Sequence, residues 1–213
     1  MVNTVMFDFD GTLMNTNGLI VKCFQHTYRT FEGRERDPAE IMKTFGEPLA
    51  VTMEKQFGPA RKQEAVDVYR SFHRERFARL IELFPGMELA VKQLKQEGYK
   101  TALVTSRLKD TTFIGLHKYD LVSWFDCITT MDQLTRHKPD PEAIEITLEQ
   151  LGSSAEEAVM IGDSRFDMLC AKNAGCKSVL VDWTVIGEDE RRQIPSDYVA
   201  KDAEDLMRII REI

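Results

Sequence analysis

TVMFDFDGTLMN, residues 4–15, opens as an apolar run that is interrupted by two carboxylates and a glycine. Residues 2–9 (VNTVMFDF) read as a short buried strand that stops at a turn around Gly11. A buried strand is a costly place for charge, so Asp8 and Asp10 at its exit ask for a chemical reason. They stand two apart and project to the same side of an extended chain.

Beyond Asn17 the apolar period changes from that of a strand to that of a helix. Leu19, Ile20, Cys23, Phe24, Thr27, Tyr28 and Phe31 recur at helical spacing until Gly33. Asp37-Pro38 opens a short helix over 39–45, Gly46-Glu47-Pro48 breaks it, and a third helix covers 49–57. Gly58-Pro59 precedes a long amphipathic helix to about Ile81. Four helices without an intervening strand predict a small bundle.

From Phe84 onward helix and strand alternate, which predicts a parallel sheet. The strands are expected at 100–104, 126–129, 158–161 and 178–181, and the helices at 87–97, 109–119, 141–151, 166–174 and 202–213. The expected fold is therefore α/β: a parallel-sheet unit made of 1–14 and 82–213, with 15–81 inserted as a helical domain.

Composition narrows the class. The 213 residues are 43% hydrophobic and 30% charged, a globular balance. No run approaches the ~20 apolar residues of a membrane span, and strand-like sequence begins where a secretory leader would lie. A soluble cytoplasmic protein with no membrane partner is expected, either a monomer or a weak dimer. Cys23, Cys127, Cys170 and Cys176 form no CxxC pair and read as buried reduced thiols.

A net charge of −7 argues against a nucleic-acid partner. The charge is uneven: residues 15–79 carry twelve Lys and Arg against nine Asp and Glu, and the remainder sixteen against twenty-six. Solvated helix faces explain the basic segment as well as a positive lid over an anion does. Arg29, Lys43, Lys55, Arg70 and Arg74 accordingly read as surface charges.

Ligands of a parallel α/β sheet bind beyond the C-terminal ends of its strands, and three expected strands end in polar residues. The first gives Asp8, Asp10 and Thr12; the second Thr105, Ser106 and Arg107; the third Asp163, Ser164 and Asp167. Between them Lys138-Pro139-Asp140-Pro141 holds a lysine in a loop that cannot be a strand. Asp8, Asp10 and Asp163 could offer hard oxygen ligands to one Mg²⁺. Without a cation, crowded carboxylates would leave one protonated; with it, Asp8 stays ionised and nucleophilic. Thr12, Thr105 and Ser106 can donate to phosphate oxygens, and Lys138 adds a point charge.

DFDGTL (8–13), TSR (105–107), KPDP (138–141) and GDSRFD (162–167) resemble, in order, the four motifs of the haloacid dehalogenase superfamily. The resemblance implies a Rossmann-like core over 1–14 and 82–213, and the helical insertion at 15–81 resembles the family's C1-type cap. The resemblance implies an enzyme in which Asp8 attacks phosphorus and becomes an aspartyl-phosphate, while Asp10 serves as general acid and then general base. It also implies Mg²⁺ held by the Asp8 carboxylate, the Asp10 backbone carbonyl and Asp163, with Asp167 direct or one step removed, and it makes Lys138 part of the catalytic set.

Asp10 favours phosphate ester or anhydride chemistry over dehalogenation. MNTNGLI (14–20), FGEPL (45–49), SRLKDT (106–111) and DWTVIG (182–187) are similar to a bacterial inorganic pyrophosphatase branch of that superfamily. The small substrate expected is pyrophosphate, with phosphoglycolate or a sugar phosphate as alternatives, and a β-phosphoglucomutase-like mutase or a binding-only module behind them. Two positions depart from the branch: Glu47 stands where a proline is expected, and Arg107 where a lysine is. An acidic Glu47 facing pyrophosphate needs a cationic partner, a second metal, or a place in solvent.

Overall fold

The computed structural model describes residues 1–45, 47–183, 185 and 187–213, with position 190 described by its backbone. The break assigned to Gly46, and positions 184 and 186 of the DWTVIG string, lie outside the described residues. The chain divides into two compact units, 1–15 with 82–213, and 16–81.

The first unit is built on a six-stranded sheet. β1 (Thr4–Phe7) is followed in the chain by a two-residue strand β2 (Met14–Asn15) and, after the second unit, by β3 (Glu82–Leu83). The rest of the sheet is β4 (Lys100–Val104), β5 (Cys127–Thr129), β6 (Ala158–Gly162), β7 (Lys177–Val181) and β8 (Tyr198–Ala200). Its order is β5-β4-β1-β6-β7-β8, and all the pairings are parallel. Val5, Met6 and Phe7 are wholly buried. That is why β1 reads as an unbroken apolar run rather than an alternation: a sheet covered on both faces has no wet side.

Helices cover the sheet as the alternation of periods requires. Numbering helices along the chain, with α1–α4 in the second unit, those of the first unit are α5 (Met87–Gln96), α6 (Lys109–Lys118), α7 (Glu142–Leu151), α8 (Arg165–Ala174), α9 (Glu188–Arg191) and α10 (Ala203–Glu212). Ala143, Ile144 and Leu148 of α7 and Cys170 and Ala171 of α8 join Met6, Ala102, Val104, Cys127 and Met160 in one buried cluster. α5 packs on β4 and on α10, which also covers β8. All four cysteines are free and buried; burial pushes the Cys170 and Cys176 thiols up to about 12.

The second unit has α1 (Asn17–Glu32), α2 (Pro38–Met42), α3 (Leu49–Phe57) and α4 (Lys62–Leu80). Leu19, Cys23, Phe24, Thr27 and Tyr28 of α1 are buried, and so are Ala65, Val66, Tyr69, His73 and Phe77 of α4. These two stripes face each other, with Phe24 set edge-on to Tyr69 at 5.1 Å. α2 ends at Met42, shorter than its apolar spacing predicts, and its Asp37 cap accepts the Ala39 N–H at 2.9 Å.

Four elements among the described residues were not expected. β2 and β3 pair antiparallel, Met14 with Leu83 and Asn15 with Glu82. They sit where the chain leaves and re-enters the sheet unit. β8 extends the sheet past β7, and α9 is a single turn. No helix among the described residues is long and apolar enough to cross a membrane.

Candidate active site

Asp8 is the residue after β1, Thr105 follows β4, and Asp163 follows β6. β1 lies between β4 and β6, and the chain runs outward from it in both directions. That reversal is the switch point at which open α/β sheets bind ligands. The Asp8 N–H donates to the Ile161 carbonyl at 2.9 Å and the Thr105 N–H to the Thr129 carbonyl at 3.0 Å. Both strand exits are thus held by ladder bonds.

Two glycines let the carboxylates close in. Gly11 has φ +77°, and a Cβ there would stand 2.0 Å from Asp163 Oδ2. A Cβ on Gly162 would stand 2.3 Å from Asp167 Cβ. Neither glycine can be replaced without moving a carboxylate.

Lys138 ties the cluster together. Its buried Nζ donates to Asp8 Oδ1 at 2.8 Å, to Asp167 Oδ1 at 2.6 Å and to the Val104 carbonyl at 2.8 Å. Three acceptors use all three ammonium protons. The loop carrying it is anchored by Asn173 Nδ2 on the Pro139 carbonyl at 2.9 Å and Cys170 Sγ on the Asp140 carbonyl at 3.1 Å. Asp167 also caps its own helix, Oδ2 accepting from the Ser164 N–H at 3.1 Å and from Ser164 Oγ at 2.6 Å. With both oxygens engaged, Asp167 orients the lysine and the start of α8.

The electrostatics follow from burial. Loss of solvent pushes the Asp8 carboxyl up to about 7; Lys138 opposes this, and Asp167 and Asp10 add to it. Asp163 is raised well above the usual range, first by burial and then by Asp167, Asp8 and Asp10. Burial alone would lower Lys138, but Asp167 and Asp8 outweigh it and raise the ammonium.

Asp10 takes a separate course. Its carboxylate is gripped by Arg107, with Nε on Oδ2 at 3.0 Å and Nη2 on Oδ1 at 2.5 Å. Thr12 is fully buried, and its Oγ1 has no hydrogen-bond partner among the described residues. An orphaned buried hydroxyl is costly unless a ligand completes it. Thr105 is buried, its hydroxyl accepting the Arg107 N–H at 3.2 Å. Ser106 is exposed, and the structure does not bring its side chain into the carboxylate cluster.

The structure adds two contacts that sequence reasoning missed. Trp183 donates its Nε1–H to the Thr12 carbonyl at 3.1 Å. The Arg107 pairing had a visible signal, a departure from the expected lysine, without a visible partner. In the helical unit Glu47 accepts from Thr52 Oγ1 at 2.7 Å and pairs with Lys55. Partial burial works to raise Glu47, but Lys55 and Thr52 prevail and hold it below the usual range. Its cationic partner is a lysine of its own unit.

The residues present suit a hard divalent cation. Asp8, Asp163 and Asp167 each offer a carboxylate oxygen, all within 4.8 Å of one another. Two of these three buried carboxylates, Asp8 and Asp167, pair with the Lys138 ammonium, and the donors are all oxygen. Asp10 can contribute only main chain while its side chain engages Arg107.

This charge excess makes a measurable prediction. A carboxyl raised in the fold keeps a proton that the unfolded chain releases, so its contribution is complete below the ordinary 3.8 and is lost as pH rises through about 7 for Asp8. A bound cation offsets that loss. Mg²⁺ should therefore raise the melting temperature more at pH 8 than at pH 5, and Asp163→Asn should shrink the difference. Equal shifts at both pH values would place the ion elsewhere.

The fold and this cluster define a hydrolase of the α/β class, and comparison with known proteins makes the class specific. Residues 5–181 match the family model of the haloacid dehalogenase-like hydrolases, and the chain belongs to that family. It is 37% identical to pyrophosphatase PpaX of Halalkalibacterium halodurans over 98% of this chain and 97% of the relative. It is 34% identical to pyrophosphatase PpaX of Bacillus mycoides over 100% and 98%. Among solved structures, a haloacid dehalogenase-like family hydrolase from Streptococcus pneumoniae superposes with a TM-score of 0.89 at 23% identity, covering 98% of each chain.

Proposed function

We propose that this chain is a Mg²⁺-dependent phosphohydrolase that forms an aspartyl-phosphate on Asp8, and that its substrate is inorganic pyrophosphate. The observation that carries the reaction is Asp8 itself. It is a buried carboxylate at the sheet's switch point, held by Lys138 at 2.8 Å and crowded by Asp163 and Asp167. The substrate rests on the two relatives named pyrophosphatase, similar over nearly their whole length.

An oxygen of Asp8 attacks phosphorus in line, and the bond to the leaving oxygen breaks with its electron pair. Asp10 gives that oxygen a proton where it needs one. A phosphate leaving from pyrophosphate needs little help. Water then attacks the phosphorus of the aspartyl-phosphate, Asp10 takes its proton, and the bond to Asp8 breaks to restore the carboxylate. Lys138 keeps Asp8 oriented, and the Thr12 and Thr105 hydroxyls, with Ser106 at the rim, are the phosphate donors. Asp8, Asp163 and the Asp10 carbonyl would hold the cation, with Asp167 beside them; when bound it neutralises charge on the phosphoryl oxygens.

The test is phosphate release from pyrophosphate, phosphoglycolate, β-glucose 1-phosphate and p-nitrophenyl phosphate, with Mg²⁺ and with EDTA, compared as kcat/KM. Pyrophosphate should lead by about a hundredfold, the scale on which pocket fit separates similar substrates, and EDTA should abolish turnover. An ester in the lead would overturn the substrate and leave the chemistry standing.

A further inference from the structure

The grip of Arg107 on Asp10 is two-pointed. Nε–H donates to Oδ2 at 3.0 Å and Nη2–H to Oδ1 at 2.5 Å. A guanidinium fork fixes the plane of a carboxylate as well as its position, which an ammonium cannot do. The two partners differ in burial. The Arg107 side chain is 8% exposed against 29% for Asp10. Its guanidinium lies over the Phe9 ring at 5.2 Å, its N–H donates to Thr105 Oγ1, and its carbonyl accepts the Met131 N–H at 2.9 Å. Asp10 lies on the glycine turn beyond β1. The buried, anchored arginine therefore sets the orientation of the more exposed carboxylate.

We propose that Arg107 is a positioning residue that aims Asp10 at the hydrolytic water; the proposal rests on the aspartyl-phosphate reading given above. In that step water oxygen bonds to phosphorus, its proton passes to an Asp10 oxygen, and the phosphorus bond to Asp8 breaks with its electron pair returning to Asp8. Each carboxylate oxygen has two acceptor sites. By holding both oxygens the fork fixes the plane of the carboxylate, and with it the direction in which Asp10 meets the water. The arginine at this position, where a lysine is expected, thus substitutes a directional contact for a point charge.

The experiment uses p-nitrophenyl phosphate with Mg²⁺, because nitrophenolate leaves without a proton and so separates the two steps. Rapid mixing reads the first turnover, and acid quenching with intact-mass measurement reads the fraction of enzyme carrying phosphate. In Arg107→Lys, which keeps the positive charge and loses the fork, the first turnover should stay within about twofold. Steady-state kcat should fall about a hundredfold, the usual effect of a misplaced group, and phosphoenzyme should accumulate to most of the enzyme. In Arg107→Ala, millimolar guanidinium should restore kcat about tenfold and ammonium should not, as expected where geometry matters more than charge.

A lysine variant with wild-type kcat overturns the proposal, as does a parallel loss of both phases without phosphoenzyme or a failure of guanidinium to rescue. Wild-type enzyme that turns over without label on Asp8 overturns the underlying reaction instead, whatever the Arg107 variants do. Thermal melts of both variants identify loss of fold, and if the alanine variant unfolds, the kinetics of the lysine variant decide the matter.

Discussion

Replacing Asp8 with Asn is expected to lower phosphate release by at least about 10⁴-fold, the scale seen when a nucleophile that acts as part of a unit is removed, while the protein melts no lower than the parent. The two halves of the expectation have one cause. Asp8 is buried and its carboxyl is pushed up to about 7, so its ionised form opposes the fold in the absence of a cation. Asparagine keeps an oxygen for the Lys138 ammonium, which donates to Asp8 Oδ1, and loses the charge. Activity measured beside a thermal melt checks both. Turnover within tenfold of the parent would assign the nucleophile to another residue, and a large drop in melting temperature would mean that the carboxylate is structural.

Lys138→Met is expected to have the largest effect on stability. The ammonium is the cation hydrogen-bonded to both Asp8 and Asp167, and the Asp163 carboxylate lies within the same buried group. Removing one partner of a buried pair leaves the other charge uncompensated and costs about 3–5 kcal/mol. For a chain of this size that lowers the melting temperature by roughly 6–20 °C. Asp8 and Asp163 would move further toward protonation, and activity should disappear. Adding Asp167→Asn to Lys138→Met removes one of the stranded charges and should recover a substantial part of the stability. A double variant that melts where independent losses would put it would show the contacts to be uncoupled.

The sheet was legible because a strand buried on both faces writes itself as an apolar run. VMF in β1, ALV in β4 and VLV in β7 carry that signal, and Gly33, Gly152 and Gly175 mark helix ends with a left-handed residue. β2 and β3 were not legible, since two residues have no periodicity and their pairing is set by the fold around them. β8 is three residues long, with Val199 half exposed, and offers equally little pattern.

At the site, strand-end position marked Asp8 and Asp163 with Asp167 just beyond, and a proline-bounded loop marked Lys138; the fold gathers the four into one group. Pairing was the illegible part. Nothing local to Arg107 says that its partner lies 97 positions away, or that of two neighbouring aspartates it takes Asp10 and Lys138 takes Asp8. Ser106 stands in a motif-matching position, yet it is exposed. Such choices depend on which side chains meet in three dimensions.

The short ladder of β2 and β3 bears on how such a molecule could have diversified. Because Asn15 pairs with Glu82, the long excursion between them begins and ends at one place. To the sheet unit, everything between those residues is equivalent to the tip of a hairpin. Its length and content leave the register of β1, β4 and β6 untouched, and closing a longer loop costs little extra, about 0.6 kcal/mol per doubling. Lineages could therefore trade one inserted module for another, or lose it for a tight turn, while inheriting the same carboxylates on the same scaffold.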